Sequence, residues 1–270
     1  MGKKKAYQWL AVVIIVVLFI SIPLTIVLVT KTLASSKYYY FGSYPQTIKA
    51  DDVQITNTVD YRGYYVGSDA ECYAYLDGEY YKVEPIKWHV LKKEKGKMLL
   101  HSEYILENRA FSFSDNNYEK SLVRSWLNED FYERAFSLTE KERVILTAVD
   151  NSVNSTNLNK SNVYTTNPYV CENTIDYVFL LSRNEVTNKK YKFKTAGYED
   201  DNKNKMETDY AHHGKIIRSQ NYIYYALWLL RSPYCLNRKE IHMVYGSSSI
   251  TSTNVGISSG IAPAIWIKRK

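Results

Sequence analysis

From Tyr7 to Thr30 the chain carries no charged side chain, and Lys3, Lys4 and Lys5 stand just before that run. Leu, Ile, Val, Phe and Ala dominate it, with Gln8, Ser21, Pro23 and Thr25 as light interruptions. As a helix at ~1.5 Å per residue, the apolar part is roughly 30 Å long, the thickness of a bilayer's hydrocarbon core. Lipid offers backbone groups no other partner, so a helix is the state expected there. Tyr7 and Trp9 sit where interfacial aromatics belong, and the three lysines fit the positive-inside rule. A cleaved signal peptide would have an apolar core of only ~7–15 residues before a small-residue site such as Thr32-Leu33-Ala34. The length argument favours an uncleaved anchor. It implies a cytoplasmic tail over 1–6, one transmembrane helix over 7–30, a linker over 31–37 and an extracytoplasmic domain over 38–270, with the protein in the cell membrane.

The whole chain of 270 residues has a formal charge of +7. Setting aside the three leading lysines leaves 32 basic against 28 acidic residues, too even a balance for a nucleic-acid footprint. Cys72, Cys171 and Cys235 are far apart, with no CxxC spacing for zinc or thiol redox chemistry. One disulfide with a spare thiol fits, and so does none. An outer part of more than 200 residues buries an adequate core without such staples.

Beyond the linker, Tyr38-Tyr39-Tyr40-Phe41 reads as a strand stopped by Gly42, Ser43 and Pro45. Asp77-Gly78 lies between β-formers, the usual hairpin signal. Residues 86–91 alternate, with Ile86, Trp88 and Val90 on one face and His89 on the wetter one, and residues 97–102 follow a Lys-Gly turn. Two helical patches come next: 121–136, with Leu122 and Trp126 on one face, and a short helix opened by the capping box Ser137-Leu-Thr-Glu140. Residues 176–182, 225–230, 241–246 and 261–267 are strand-like, and 187–219 is a long polar excursion. Strands, then helices, then strands predict an α+β domain in one piece.

Chemistry is marked mostly by absences. HExxH, GxSxG, a phosphate-binding glycine loop and an EF-hand loop are all missing. The neighbours His212 and His213 make a poor chelate, and Glu199, Asp200 and Asp201 read as a solvated turn, so no metal or other cofactor is expected. Tyrosine is abundant, 26 against 8 phenylalanines, and tyrosine suits amphipathic contact surfaces. The plain alternative is an AT-rich coding bias, which also enriches Asn, Lys and Ile.

Seven blocks occur in order: FGSYPQT (41–47), VEPIKWHVL (83–91), LLHSEYIL (99–106), SLVRSWLNEDFYERAF (121–136), DYVFLLSRNEV (176–186), WLLRSP (228–233) and GIAPAIWI (260–267). Together they resemble a bacterial domain of unknown function found in surface and secreted proteins of Firmicutes and their relatives. That family is in turn remotely similar to the C-type-lectin-like fold of formylglycine-generating enzymes and retroelement variable proteins. The resemblance implies two helices against small twisted antiparallel sheets, with a ligand-facing segment between the LRSP block and the last strand. In this chain that segment is 234–259, and Tyr234, Asn237, Arg238, His242, Tyr245 and Asn254 are its expected ligand contacts. The shared blocks suit scaffold, so Trp88, Trp126, Trp228, Pro233 and Trp266 are assigned to structure. Arg231 joins them as an arginine whose fork of donors holds loop carbonyls or a carboxylate. Two departures stand out. Ile261-Ala262-Pro263 lacks the family's arginine before the proline, and the C-terminal part offers only Cys235 where the oxidase branch uses a cysteine pair.

The leading expectation is a membrane-anchored extracytoplasmic binding module without catalytic residues, recognising a glycan, peptide or other envelope component. A formylglycine-generating-type enzyme relative and a structural subunit of a surface complex are the alternatives. Nucleic acid is not an expected partner.

Overall fold

A computed structural model describes residues 37–157, 166–191, 193, 204–213, 226–245 and 249–269. The expected cytoplasmic tail, transmembrane helix and most of the linker lie outside these residues, as does the Glu199-Asp200-Asp201 cluster. Among the described residues no helix is long and apolar enough to cross a membrane, so the transmembrane assignment finds no support.

Among the described residues fifteen strands run along the chain: β1 (Tyr38–Ile48), β2 (Ile55–Val59), β3 (Tyr65–Gly67), β4 (Cys72–Leu76), β5 (Glu79–Glu94), β6 (Lys97–Ser102), β7 (Glu107–Arg109), β8 (Thr147–Val149), β9 (Thr174–Asp176), β10 (Val178–Phe179), β11 (Trp228–Pro233), β12 (Glu240–Tyr245), β13 (Ser249–Asn254), β14 (Ser259–Ile261) and β15 (Ala264–Lys268). An eight-stranded sheet runs β10-β15-β6-β5-β4-β3-β2, with β1 on the other edge of β5. A five-stranded sheet runs β13-β12-β11-β14-β7, and β8 pairs with β9. Strand accounts for 44% of the described residues and helix for 17%, which corrects the α+β, C-type-lectin-like expectation to a mainly-β architecture. The helical patch at 121–136 does form, as helix Leu122–Trp126, a π turn Leu127–Phe131 and helix Tyr132–Ala135, but no second helix of comparable length accompanies it among the described residues. The capping box at Ser137 opens a helix that ends at Lys141.

β5 organises the larger sheet. Its first residues pair with β4 across the Asp77-Gly78 turn, where both residues have positive φ, the backbone of a tight two-residue hairpin. Its last residues pair with β6 across the turn at Gly96, while β1 runs along its opposite edge. Gly42, Ser43 and Pro45 do not stop β1 as expected. The strand passes through them by two register shifts, between Tyr40 and Ser43 and between Pro45 and Thr47. Gly42 is required at the first: its φ is +67°, and a Cβ there would lie 2.7 Å from the Ala135 carbonyl oxygen.

Trp88 and Trp228 are fully buried in the core, and the Trp88 indole donates to the Phe41 carbonyl at 2.7 Å. Trp126 packs on Phe131, and Trp266 stays partly exposed beneath the Lys97 ammonium. In the smaller sheet β11 and β14 are parallel, and Gly260 makes that approach feasible, since a Cβ would meet the Leu227 carbonyl at 2.5 Å.

Candidate functional site

A cleft of about 560 Å³ forms where three distant stretches meet beside β5. β1 supplies Tyr40, Gln46 and Thr47; β5 supplies Glu84, Pro85 and Lys87; Tyr104 and the segment Glu207, Thr208, Asp209 close it. Tyr40 is opposite Lys87 in the register, so both side chains stand on one face of the sheet. The extra residue that each bulge adds to β1 shifts the facing of the residues after it, a change that strict alternation does not foresee.

Most polar groups of the cleft are held by neighbours. The Gln46 amide donates to the Glu84 carbonyl at 2.9 Å and the Pro85 carbonyl at 3.2 Å. One Glu84 carboxylate oxygen accepts from the Thr47 amide at 3.2 Å and hydroxyl at 2.7 Å. One Asp209 oxygen accepts from the next amide, Ile48, at 3.0 Å. Consecutive amides lie at most ~3.6 Å apart along a chain, so these two carboxylates are placed within ~10 Å of each other. The Lys87 ammonium lies 4.0 Å from the Tyr38 ring centroid and 3.9 Å from a Glu103 oxygen. Aromatic faces, carboxylates, an amide and an ammonium thus converge on one open surface.

Behind the cleft lies a buried ionic cluster. Lys205 is 1% exposed, and its ammonium donates to the backbone carbonyls of Ser102 and Glu103. Glu103 in turn meets His89, which is buried rather than wet as the alternation of residues 86–91 suggested. Burial lowers the Lys205 pKa to about 7, with Glu103 opposing the shift. Burial raises the Glu103 pKa, but the hydrogen bond and charge of His89 outweigh it and hold the carboxyl below its ordinary value. His101 is pushed well below the imidazole range by burial, then by Lys205 and His89. Lys205 opens the segment carrying Glu207, Thr208 and Asp209, and that segment is stitched to Ile105 by backbone bonds from the Ile105 amide to Met206 and from the Thr208 amide to Ile105. The cluster therefore fixes one wall of the cleft.

Of the segment expected to carry ligand contacts, 234–259, the described residues include the paired strands β12 and β13, and none of them lines this cleft. His242 is corrected from an exposed contact to a buried one. Its ring nitrogens approach the Thr251 carbonyl at 3.2 Å and the Arg183 guanidinium at 3.4 Å, and burial followed by Arg183 lowers its pKa to about 4. Tyr234 packs edge-on against His242, and Asn237 is exposed, its side-chain amide donating to Glu240 and its carbonyl accepting from the buried Asn116 amide. Arg238 and Asn254 are exposed, Arg238 lying 3.8 Å from Asp115 and Asn254 receiving the Gly256 amide. Tyr245 is half-buried at the end of β12. None of these six residues lines the cleft beside β5. Tyr40, Tyr104, Lys205 and Asn116 were not singled out from the sequence; only the tyrosine richness of residues 38–40 hinted at any of them.

His212 and His213 lie on the helix Asp209–His213 and turn to different partners, Glu207 and the Tyr81 hydroxyl. No group of three or more His, Cys, Asp or Glu side chains among the described residues is placed to hold a metal ion. All three cysteines are free thiols.

Residues 95–269 match the family described as Domain of unknown function (DUF6273). The match begins in the turn between β5 and β6, so β1–β5, with six of the cleft's ten lining residues, come from chain that precedes it. No curated protein matches the chain, and no solved structure does.

Proposed function

The chain belongs to the DUF6273 family of domains of unknown function, and on that premise we propose that it is a ligand-binding module whose open cleft beside β5 takes a glycan. The observation that carries this reading is the company Tyr40 and Tyr104 keep: Gln46, Thr47, Glu84, Lys87 and Asp209, several of them pinned by backbone bonds, in one cleft. A sugar ring offers an apolar face to an aromatic ring and hydroxyls to amides, carboxylates and ammonium groups. A lining that joins apolar area to a few charged and amide groups suits such a ligand better than a purely apolar one, which would leave those groups desolvated and unmatched. Tyr40 is 61% exposed on its strand, a large ring kept at the surface where a ligand can reach it. A location outside the cytoplasm belongs to the same proposal and rests on the lysine-led uncharged run alone.

The test is a glycan array probed with the purified chain, followed by the same array with Tyr40→Ala and Tyr104→Ala. The proposal expects binding that both substitutions weaken while thermal stability is kept. Absence of any glycan signal with the wild type, or a signal that neither variant changes, would remove it.

A further inference from the structure

A second groove, smaller at about 290 Å³, opens on the other sheet, where Asn108 and Arg109 of β7 face Phe113, Leu122 and Gly256. Arg109 pairs through its backbone with Ser259 of β14, but among the described residues its side chain has neither a hydrogen bond nor an ion pair. Its guanidinium carbon lies 4.7 Å from the Trp126 ring centroid, and its Nε is buried without an acceptor. Arg143, Arg183 and Arg231 also bury an Nε without an acceptor, but each has other side-chain hydrogen bonds, so it is the half-buried Arg109 side chain, with none, that leaves an open position for an anion at the groove wall. Its neighbour on the strand, Glu107, does not fill it: that carboxylate accepts from the Tyr44 hydroxyl at 3.0 Å, and burial raises its pKa. Asn108 and Ser258 add polar atoms to the lining, and Phe113 and Leu122 give it an exposed apolar wall. Phe113 is 76% exposed and Leu122 48%, and a Cβ at Gly256 would meet nothing closer than 3.4 Å.

We infer that this groove binds a free carboxylate joined to an apolar side chain, and specifically the C-terminal residue of a peptide. A carboxylate pairs with a guanidinium fork through two parallel bonds, and Trp126 holds the guanidinium by its cation–π contact without consuming a donor. The volume accommodates one large side chain with its carboxylate, and capture of a chain terminus is an established recognition mode. The site is independent of the glycan cleft.

The experiment titrates the full chain, by calorimetry and by NMR shifts, with N-acetyl-Ala-Leu and N-acetyl-Ala-Phe as free acids, with their C-terminal amides, and with inorganic phosphate. The free acids are expected to bind, with the amides and Arg109→Gln each at least tenfold weaker. Phe113→Ala, a change on the exposed wall, is expected to weaken binding without lowering Tm, and it serves if Arg109→Gln fails to fold. Equal binding of acid and amide, no binding of the acid, or wild-type affinity in the variants overturns the inference. Phosphate binding as tight as the peptide acids also overturns it, because Arg109 would then be a general anion site.

Discussion

The Arg231 guanidinium meets the Glu185 carboxylate at 2.5 Å while being 1% exposed, and it also donates to the Leu180 and Asp150 carbonyls and the Ser155 hydroxyl. Glu185 is the last residue of the capping box that starts at Ser182, so one arginine ties β11 to the start of the helix Arg183–Val186 and to the stretch after β8. Removing it takes a donor from the buried Leu180 carbonyl, the Asp150 carbonyl and the Glu185 carboxylate. Arg231→Met is expected to cost about 3 kcal/mol, and Arg231→Lys a large part of that, since an ammonium cannot span the fork's partners. Urea unfolding of the two variants checks this; a loss below about 1 kcal/mol in Arg231→Met contradicts the structural role.

Lys205 makes stability depend on pH in the alkaline direction. Its folded pKa is about 7 against an ordinary 10.5, so between those values the unfolded chain binds the proton more strongly. Stability therefore rises with pH above 7, and the full burial cost is carried below it. Glu103, His89, Lys87 and His101 surround the group and are common to wild type and variant. The stability of the wild type relative to Lys205→Met is expected to grow by about 2 kcal/mol from pH 7 to 9, measured by denaturant titration at each pH. A flat difference would show that the ammonium keeps its proton.

His242 acts in the acid range. Its pKa is lowered from 6.5 to about 4, so below pH 6.5 the unfolded chain takes up a proton that the fold refuses, and stability is lost as pH falls toward 4. Arg183 opposes protonation and Glu240 favours it weakly. The loss attributable to this residue is about 3 kcal/mol across that window. His242→Gln, which keeps a donor for Thr251, is expected to flatten the acid limb of stability measured between pH 4 and 7.

Gly42→Ala tests the first bulge of β1. The substitution places a Cβ against the Ala135 carbonyl and the Phe136 ring at 2.7 Å in a backbone of positive φ. A loss of about 2 kcal/mol or more is expected in thermal or urea unfolding, together with weaker ligand binding in the cleft that this bulge shapes. Gly78→Ala, which meets nothing within 4 Å, isolates the cost of positive φ alone.

Much of the local structure was legible. Asp77-Gly78 marks a hairpin because only such residues take left-handed backbone cheaply, and Ser137 with Glu140 marks a helix start because their side chains satisfy orphan amides. Residues 97–102 read as a strand and form one, whereas the strand expected over 225–230 runs on through Arg231 and Ser232 to Pro233. Reading β1 as stopped at Gly42 failed, since a glycine that ends a strand and one that bulges it look alike until the partner strand is known. The helical patch at 121–136 was real but weighed too heavily, which tilted the fold class away from mainly β. His89 looked wet by alternation, yet Glu103 and the Tyr38 ring bury it.

Residue order alone determined the Asp77-Gly78 turn and the helix start at Ser137, because these depend on backbone freedom and capping within a few residues. The tertiary structure alone decided where a ligand can sit. Tyr40, Glu84, Tyr104 and Asp209 share a cleft only because two bulges turn β1 against β5 and because Lys205 pins the 205–209 stretch to the end of β6. Arg109 likewise becomes an open anion position only once Glu107 is claimed by Tyr44 and Trp126 lies against its guanidinium. Such sites rest on pairings between residues tens to more than a hundred positions apart, and neither spacing nor composition encodes which distant group will satisfy which charge.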